Sequence, residues 1–356
     1  MPNRIDAFLD LVVKQGGSDL HLVSGNQPRI RLHGELVPIK YRELSAAETL
    51  TLLHEIMPAQ QREAFQHRSS IDFAYAIPEL ARFRVNALRH IHGVGAVFRV
   101  IPSVLKGLDE LGLPVVLKSF TQQKKGLILT TGPTGSGKST TLAALIDHLN
   151  TNRKGHIVTI EDPVEFTHPR KNCLISQREV GQHTKSFAAA LHSALREDPD
   201  AILVGEMRDL ETIALAITAA ETGILVLGTL HTNGAAATVD RIVNVFPAAD
   251  QPRIRTMLST SLIAVISQQL VRRADNKGRL AAIEILINNP AVANMIREGK
   301  TDQLPSAIQA GGLQGMQAID SALRRLLDAK QITGREAYAK AVNKKDFEHY
   351  VAREAA

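Results

Sequence analysis

Hydrophobic positions in the first third of the chain alternate between a helical and an extended pattern. Apolar residues recur at helical spacing over 5–13, and glycines at 16 and 17 follow, which predicts a helix that ends there. A polar, helix-prone stretch covers 45–66. Alternating apolar and polar positions predict strands over 19–23, 29–32, 71–75, 82–89 and 95–100. This mixture predicts a small α+β domain over 1–101, followed by a linker over 102–123 that glycine and proline interrupt.

The pattern changes at residue 124, where short apolar runs begin to alternate with helical stretches. The apolar runs predict buried strands over 127–129, 157–160, 201–204 and 224–230. Strands that alternate with helices are typical of a parallel sheet with crossover helices. After Asp250 the pattern predicts mostly helix to the end of the chain. We therefore expect an α/β domain over 124–356.

Composition and charge exclude several classes of protein. Hydrophobic residues make up 44% of the 356 positions and charged residues 22%, which is typical of folded chains and not of disordered ones. No apolar run reaches the roughly 18 to 20 residues of a membrane helix, and the N-terminal stretch is amphipathic where a signal peptide has an apolar segment. We expect a soluble protein that is not secreted. The single cysteine, Cys173, excludes an internal disulfide and a four-thiolate zinc site.

The strongest motif is GPTGSGKS at 132–139, which matches G-x-x-x-x-G-K-[ST] and stands between a predicted strand and a predicted helix. Glycines let such a loop wrap its backbone N–H groups around a phosphate, and the following helix adds the positive end of its dipole. Lys138 then reaches the β- and γ-phosphates, and the Ser139 hydroxyl binds Mg²⁺. The alternative is a glycine-rich turn with an exposed lysine. The predicted nucleotide-binding residues here are Gly132, Pro133, Thr134, Gly135, Ser136, Gly137, Lys138, Ser139 and Thr140.

Acidic residues and a histidine follow the next predicted strands. Glu161 and Glu165 follow one strand, Glu206 follows the next, and His231 follows the one after that. Ligands of open α/β sheets bind outside the carboxyl ends of the strands, so these side chains are expected to share one crevice. Ser139 and Glu206 are expected to hold Mg²⁺, while Glu165, with Glu161, orients or deprotonates the attacking water. His231 is expected to sense the γ-phosphate or to couple its loss to movement.

Plain structural roles remain open for these charged residues. An acidic side chain in such a place also serves as a helix N-cap or as a solvated loop charge. For Asp162, which precedes a proline, and for Asp209, which begins a predicted helix, capping is an equally good interpretation.

Four ordered motifs carry a close resemblance to a known family. After GPTGSGKS come IEDPVEF at 160–166, LREDPDAILVGEMRD at 195–209 and ETGILVLGTLHTN at 221–233. In this order they resemble the Walker A, Asp box, Walker B and His box of the type II/IV secretion and pilus ATPase superfamily. Within it, the chain is most similar to the type IV pilus retraction (twitching motility) ATPases. The resemblance extends to GGSDLHL near residue 18, to ARFRVN at 81–86 and to GAVFRVIP at 95–102.

This resemblance implies a fold and an assembly. The expected fold is α/β, with a RecA-like P-loop ATPase domain joined to a smaller PAS-like α+β N-terminal domain. The expected assembly is a homo-hexameric ring in which ATP lies between the two domains.

Alternation along the strand puts Arg82 and Arg84 on one face, and a solvated face is the plain alternative for Arg82. Arg84 and Arg99 match the family's N-domain arginines that reach the nucleotide phosphates, so they are expected to bind and sense ATP.

The resemblance also implies a function. The chain is expected to be an ATP-hydrolysing motor, with ATP and Mg²⁺ as cofactors, that powers type IV pilus retraction and twitching motility. Its expected partners are an inner-membrane pilus platform protein and a second retraction ATPase paralogue, with no nucleic acid and no direct membrane insertion. The expected location is the cytoplasm, at the inner face of the cytoplasmic membrane, through those partners.

One departure from the family pattern leaves alternatives open. Retraction ATPases carry a C-terminal motif resembling AIRNLIRE, and residues 291–298 keep Arg297 and Glu298 but have Ala293 at an arginine position. An accessory retraction paralogue is therefore an alternative. Assembly and secretion ATPases of the superfamily are another alternative. They are typically longer at the N-terminus and carry a tetracysteine metal module, which the single cysteine of this chain cannot build. A RecA-like nucleic-acid translocase is more distant, because aromatic residues are only 4% and tryptophan is absent. A non-catalytic scaffold is a further alternative.

Overall fold

The computed structural model describes residues 3–32, 34–101 and 105–355, with side chains up to residue 351. The chain divides into two compact units. The first unit is Met1–Val104 together with Pro163–Thr167, and the second is Leu105–Asp162 together with His168–Ala356.

The first unit is built on a six-stranded antiparallel sheet, in the order β3-β2-β1-β6-β5-β4. Its strands are β1 (Asp19–Val23), β2 (Arg29–Leu32), β3 (Glu35–Pro38), β4 (Ser70–Ile77), β5 (Ala81–His90) and β6 (Gly93–Ile101), and its helices are α1 (Asp6–Lys14), α2 (Ala46–Ile56) and α3 (Ala59–His67). The three helices pack against the sheet. Their apolar sides and one face of the sheet bury a common core around Phe65, Phe83 and Phe98.

The sequence pattern predicted this unit well, apart from one edge strand. The five predicted strands and the first helix are confirmed, and the helix-prone stretch at 45–66 forms α2 and α3. Helix α2 begins where its sequence indicates, because Ser45 and Glu48 form a capping box. The pattern missed β3, since all four of its residues are exposed and show no alternation of burial.

The second unit contains a seven-stranded sheet, in the order β13-β12-β7-β11-β10-β8-β9. Its strands are β7 (Gly126–Thr131), β8 (His156–Glu161), β9 (Leu174–Glu179), β10 (Ala201–Val204), β11 (Leu225–Leu230), β12 (Leu262–Arg272) and β13 (Arg279–Ile287). All neighbouring strands are parallel except β12 and β13, which pair in antiparallel fashion. The structure therefore confirms the RecA-like parallel core.

Several helices of the second unit pack on this sheet, and others pack on neighbouring helices. They are α4 (Val116–Phe120), α5 (Lys138–Asn152), α6 (Phe187–Ala194), α7 (Leu210–Thr222), α8 (Ala235–Asn244), α9 (Gln251–Ser261), α10 (Pro290–Glu298), α11 (Leu304–Ala310), α12 (Ile319–Asp328), α13 (Gly334–Lys340) and α14 (Glu348–Ala355). Every residue of β7, β10 and β11 is buried, which explains why these strands are largely apolar. None of the helices in the described ranges is long and apolar enough to cross a membrane.

Two features of the second unit correct our expectations. The segment after Asp250 is mostly helical, as the pattern predicted, but it also contains two strands, β12 and β13, that the pattern did not predict. Polar residues inside β12 interrupt its apolar run and hide the strand. The segment 105–123 is not a free linker either: it belongs to the second unit, and Leu117 and Phe120 of α4 are buried in a core shared with α5. Residues 102–104 of the predicted linker lie outside the described residues.

Candidate active site

Four parallel strands of the second unit bring their carboxyl ends to one edge of the sheet. β7, β11, β10 and β8 are neighbours in that order. Thr131 at the end of β7 pairs with Leu230 at the end of β11, and Val204 at the end of β10 pairs with Ile160 in β8. The segments that follow these strands therefore begin side by side. They carry the loop at 132–137, which we call the phosphate loop, and the side chains of His231 and Glu206, while Glu161 is the last residue of β8 itself.

The phosphate loop has a backbone that only glycine fits at two positions. Gly132 and Gly137 have φ angles of 137° and 88°. A Cβ atom on Gly132 would lie 2.2 Å from the carbonyl oxygen of Gln268, and one on Gly137 would lie 2.8 Å from its side-chain nitrogen. The loop therefore lies directly against β12. Because Gly137 is the N-cap of α5 and has no side chain, the first N–H groups of this helix receive no cap from it, which suits an anion.

Residues at the start of α5 carry the chemically active side chains of this site. The Lys138 ammonium donates hydrogen bonds to the carbonyl oxygens of Gly132, at 2.8 Å, and Pro133, at 3.1 Å. The cation is thus held at the mouth of the loop. Ser139 and Thr140 follow in the first turn of α5 and are half-buried. The Ser136 hydroxyl is buried and has no hydrogen-bond partner within the described part of the chain.

Gln268 of β12 holds the phosphate loop in place through its side-chain amide. The sequence pattern did not predict this role. The Gln268 side-chain nitrogen donates to the Ser136 carbonyl oxygen at 2.7 Å, and its side-chain oxygen accepts from the Thr141 hydroxyl at 2.7 Å. The buried amide therefore joins β12, the loop and α5. The available signal was the polar stretch Ser267–Gln269 inside an otherwise apolar run.

Glu206 and His231 form the second part of the site. The two residues follow β10 and β11, and His231 Nε2 lies 2.6 Å from Glu206 Oε1. Arg208 also forms an ion pair with Glu206 Oε1, and this hydrogen-bonded partner raises the pKa of the Arg208 guanidinium. The Glu206 side chain is only 18% exposed, whereas that of Arg208 is 76% exposed. The structure therefore brings together the carboxylate and the imidazole that the strand-end argument singled out.

Glu161 stands at the end of β8, where two neighbours hold its carboxylate. The Thr159 hydroxyl donates to Glu161 Oε1 at 2.7 Å, and the Gln177 amide of β9 donates to the same oxygen at 3.3 Å. Glu165 has a different setting, because it lies in Pro163–Thr167, which belongs to the first unit. Glu161 is thus the only one of the two predicted glutamates that the second unit itself places at this edge of the sheet.

The two aspartates with open interpretations differ in the structure. Asp209 caps α7, since its carboxylate accepts from the Thr212 N–H at 2.8 Å and from the Thr212 hydroxyl at 2.7 Å. Burial raises the pKa of Asp209, but these hydrogen bonds outweigh burial and bring the pKa below its ordinary value. Capping is therefore confirmed for Asp209. Asp162 is exposed in a bend and stands at no helix start among the described elements.

Arg84 and Arg99 lie together on the first unit. They face each other across β5 and β6 in the antiparallel register. Arg99 Nε donates to Asp19 Oδ1 at 2.9 Å, and Arg84 Nε lies 3.8 Å from Asp72 Oδ1. Their side chains are 70% and 49% exposed. The sheet of the first unit therefore offers two neighbouring guanidinium groups, one from β5 and one from β6.

The donor set fits Mg²⁺ that arrives with a nucleotide. Within the residues that the structure covers, no cluster of three or more His, Cys, Asp or Glu side chains could hold a metal ion alone. Mg²⁺ usually takes one or two protein oxygens and completes its shell with phosphate oxygens and water. Ser139 and Glu206 are the residues that would supply those protein oxygens.

Comparisons with known proteins agree with this geometry. A family model described as type II/IV secretion system protein matches residues 1–348. The chain is 53% identical to the "Type IV pilus retractation ATPase PilT" of Pseudomonas aeruginosa over 332 residues, which are 93% of this chain and 96% of that protein. It is also 53% identical to a "Twitching motility protein" of Neisseria gonorrhoeae over 316 residues, 89% of this chain and 84% of that protein.

A solved structure resembles the fold along almost its whole length. The pilus retraction motor PilT, crystallised with bound ADP, superposes with a TM-score of 0.90 at 40% identity, and the match covers 98% of this chain and 100% of that one. A family match over nearly the entire sequence and relatives at this level of identity leave one assignment. The chain belongs to the type II/IV secretion system protein family.

Proposed function

We propose that this chain is an ATPase that powers the retraction of type IV pili. The observation that carries the proposal is the edge of the parallel sheet, where a phosphate loop with its lysine stands beside the Glu206–His231 pair. The relatives named above are a pilus retraction ATPase and a twitching motility protein, and they are similar over most of the chain. Motor function is therefore supported by both the site and the family.

The second unit contains the groups that phosphoryl transfer needs. The N–H groups of the phosphate loop and of the first turn of α5 bind the phosphates, and Lys138 exchanges its backbone carbonyl partners for phosphate oxygens. Ser139 and Glu206 would hold Mg²⁺, and the ion would supply positive charge to offset that of the phosphates. His231 donates to Glu206 or to the γ-phosphate, so its partner reports whether that phosphate is present.

A glutamate orients the attacking water. Glu161 is held at the sheet edge by Thr159 and Gln177, and Glu165 is the second candidate for the general base. Arg84 and Arg99 sense the nucleotide by charge, because a guanidinium grips two phosphate oxygens and stays protonated. Loss of the γ-phosphate removes the anion that these groups bind, and such a loss is a general means of turning hydrolysis into movement.

The assembly and partners belong to the same proposal. The motor is a homo-hexamer that works at the inner face of the cytoplasmic membrane on an inner-membrane platform protein, alone or with a second retraction ATPase. The support is the resemblance to pilus motors and the close match to a retraction motor structure. Mass measurement of the purified chain with and without ATP tests the ring directly.

ATP turnover by single-site variants tests the enzymatic part. We expect Lys138→Ala to lower the rate about 100-fold or more, because charge stabilisation in the transition state is lost. Lys125→Ala is the matched control: this exposed lysine precedes β7, at the opposite end of the strand from the phosphate loop. Unchanged turnover in Lys138→Ala would refute the assigned site. Stimulation by single-stranded DNA would instead favour the translocase, and no turnover by the unmodified chain would favour a scaffold.

Surface pili in a deletion strain test the direction of force. Excess, immobile filaments are expected if the chain retracts pili, and bald cells are expected if it assembles them. Restoring the gene as Lys138→Ala should leave the filaments in excess, because the motor then lacks turnover.

One observation favours an accessory role as a second candidate. In α10, Ala293 is half-buried at the position where retraction ATPases have an arginine, so this helix carries one positive charge fewer. The rest of its polar side is present, with Asn294 donating to Glu298 at 2.9 Å and Lys300 paired with Glu298 at 2.6 Å. An accessory motor would restore retraction only in cells that keep a second retraction ATPase. Ala293→Arg should then remove that dependence.

A further inference from the structure

The loop that carries His231 leads into α8, a helix that has no capping side chain of its own. The N-cap of α8 is Gly234. The same is true of α12, whose N-cap is Ala318. Neither residue has a polar side chain, so the first N–H groups of both helices depend on acceptors from other elements.

Two residues of the β12–β13 pair supply those acceptors. Ser267 and Glu284 lie directly opposite each other in the antiparallel register. The Ser267 hydroxyl accepts from the Gly234 N–H at 2.9 Å, and Glu284 Oε1 accepts from the Ala235 N–H at 2.8 Å. Glu284 also accepts a backbone hydrogen bond from Ile319, the first residue of α12. A single carboxylate therefore caps two helices.

The environment of Glu284 agrees with a dedicated role. Burial raises the pKa of Glu284, and the N–H groups of Ala235 and Ile319 oppose that rise. A carboxylate at two helix N-termini also interacts favourably with both helix dipoles. Helix α8 also holds the loop at 231–234 through Thr238. The Thr238 hydroxyl forms a hydrogen bond with the Thr232 hydroxyl and donates to the Gly234 carbonyl oxygen, each at 2.7 Å.

We propose that Glu284 is a positioning residue for His231, and that it links the loop at 231–234 to α12. The carboxylate fixes the start of α8, and the loop between β11 and α8 is only four residues long. Displacement of α8 therefore displaces His231. Through Ile319, the same carboxylate reaches the C-terminal helical cluster, in which Ile319 is packed. This inference rests on the proposed function, since it takes His231 to act at the γ-phosphate.

The Glu284→Gln variant tests the proposal. The amide keeps the size of the side chain but loses the charge and one acceptor oxygen, so it cannot cap both helices equally well. Because His231 acts on the γ-phosphate, we expect kcat to fall about tenfold or more while KM for ATP changes less than about twofold. A role in folding alone would lower stability without this split between kcat and KM.

A matched control on α12 separates the two effects. Asp320, one residue after Ile319, accepts from the N–H groups of Val342 and Asn343, each at 2.8 Å. Asp320→Asn therefore weakens another carboxylate that bonds two backbone N–H groups, and these groups belong to the segment at 342–343 and not to α8. We expect it to lower the unfolding midpoint as Glu284→Gln does, with kcat within about twofold of the unmodified chain.

A double-mutant cycle shows whether Glu284 acts through His231. If it does, Glu284→Gln lowers kcat in the unmodified background and has little further effect in His231→Ala. The proposal is overturned if Glu284→Gln keeps full kcat, if its effect is equal in both backgrounds, or if Asp320→Asn lowers kcat as much. If Glu284→Gln does not fold, Ser267→Ala takes its place in the cycle with the same expected pattern. Failure of the proposed function shows separately, as normal turnover in Lys138→Ala.

Discussion

Replacing Gln268 by leucine isolates the side chain that joins the phosphate loop to the sheet. The two residues are similar in volume, so the change removes hydrogen bonds with little change in packing. It leaves the Ser136 carbonyl oxygen without its donor and the Thr141 hydroxyl without its acceptor. Each buried group that loses its partner costs about 1–3 kcal/mol. After a partial offset from the added apolar surface, we expect the free energy of unfolding to fall by about 2–4 kcal/mol.

The same change should weaken nucleotide binding. A loop that is no longer fixed by β12 must be ordered when the phosphates bind, and each 1.4 kcal/mol of that ordering raises Kd about tenfold. We therefore expect Kd for ATP to rise about tenfold or more in Gln268→Leu. Urea unfolding gives the stability, and fluorescence of a labelled ATP analogue gives the affinity.

Two further variants complete this experiment. Gln269→Leu is the matched control, because the next side chain along β12 points to the other face of the strand. It should change both quantities much less. Thr141→Val combined with Gln268→Leu should cost less than the sum of the single changes, since both remove the same hydrogen bond. Unchanged stability and affinity in Gln268→Leu would refute the reasoning.

Three other predictions follow from named contacts. Gly132→Ala should abolish nucleotide binding and lower the unfolding free energy by about 2 kcal/mol or more, because a Cβ there would lie 2.2 Å from the Gln268 carbonyl oxygen; normal binding would contradict the loop geometry. Asp209→Ala should lower the free energy of unfolding by about 0.5–2 kcal/mol, because α7 loses its cap, while ATP turnover per folded molecule is retained. A loss of turnover would instead indicate that Asp209 takes part in catalysis. Burial lowers the pKa of His168 to about 4 from an ordinary 6.5, so protonation favours the unfolded chain and stability is lost as the pH falls through that window. At pH 4.5 this loss is about 2–3 kcal/mol of the free energy of unfolding. Urea unfolding at pH 7 and pH 4.5 should therefore show a smaller decrease for His168→Gln than for the unmodified chain.

The features that the sequence predicted well have local signals. The phosphate loop is one contiguous motif, and the strands β7, β8, β10 and β11 are short apolar runs because both faces of a parallel sheet are covered. The placement of Glu206 and His231 at one edge of the sheet followed from the rule on strand ends, whereas their direct contact was not predicted.

The features that it missed depend on tertiary contacts. Ser267, Gln268 and Glu284 are polar residues in strands that are largely apolar, and the polar interruptions concealed both strands. Their roles appear only when β12 lies under the phosphate loop and β13 lies beside the start of α8. A single sequence contains no periodic signal for such cross-element hydrogen bonds.

The sequence pattern also could not predict to which of the two units some segments belong. Pro163–Thr167 follows β8 directly in the chain, so its pattern assigned it, and Glu165 with it, to the domain of its neighbours. It belongs to the first unit by its contacts. The segment 105–123 was predicted to be a linker, because glycine and proline interrupt its apolar positions. In the structure, α4 and the turn before it bury those apolar positions in the core of the second unit.

A structure of the purified chain with Mg²⁺ and a non-hydrolysable ATP analogue shows whether the phosphate loop binds the triphosphate. We expect the β- and γ-phosphates within about 3 Å of the backbone N–H groups of the phosphate loop, with the Lys138 ammonium moved from the Gly132 and Pro133 carbonyls to the phosphates. An analogue bound elsewhere, with Lys138 still on those carbonyls, would contradict this expectation.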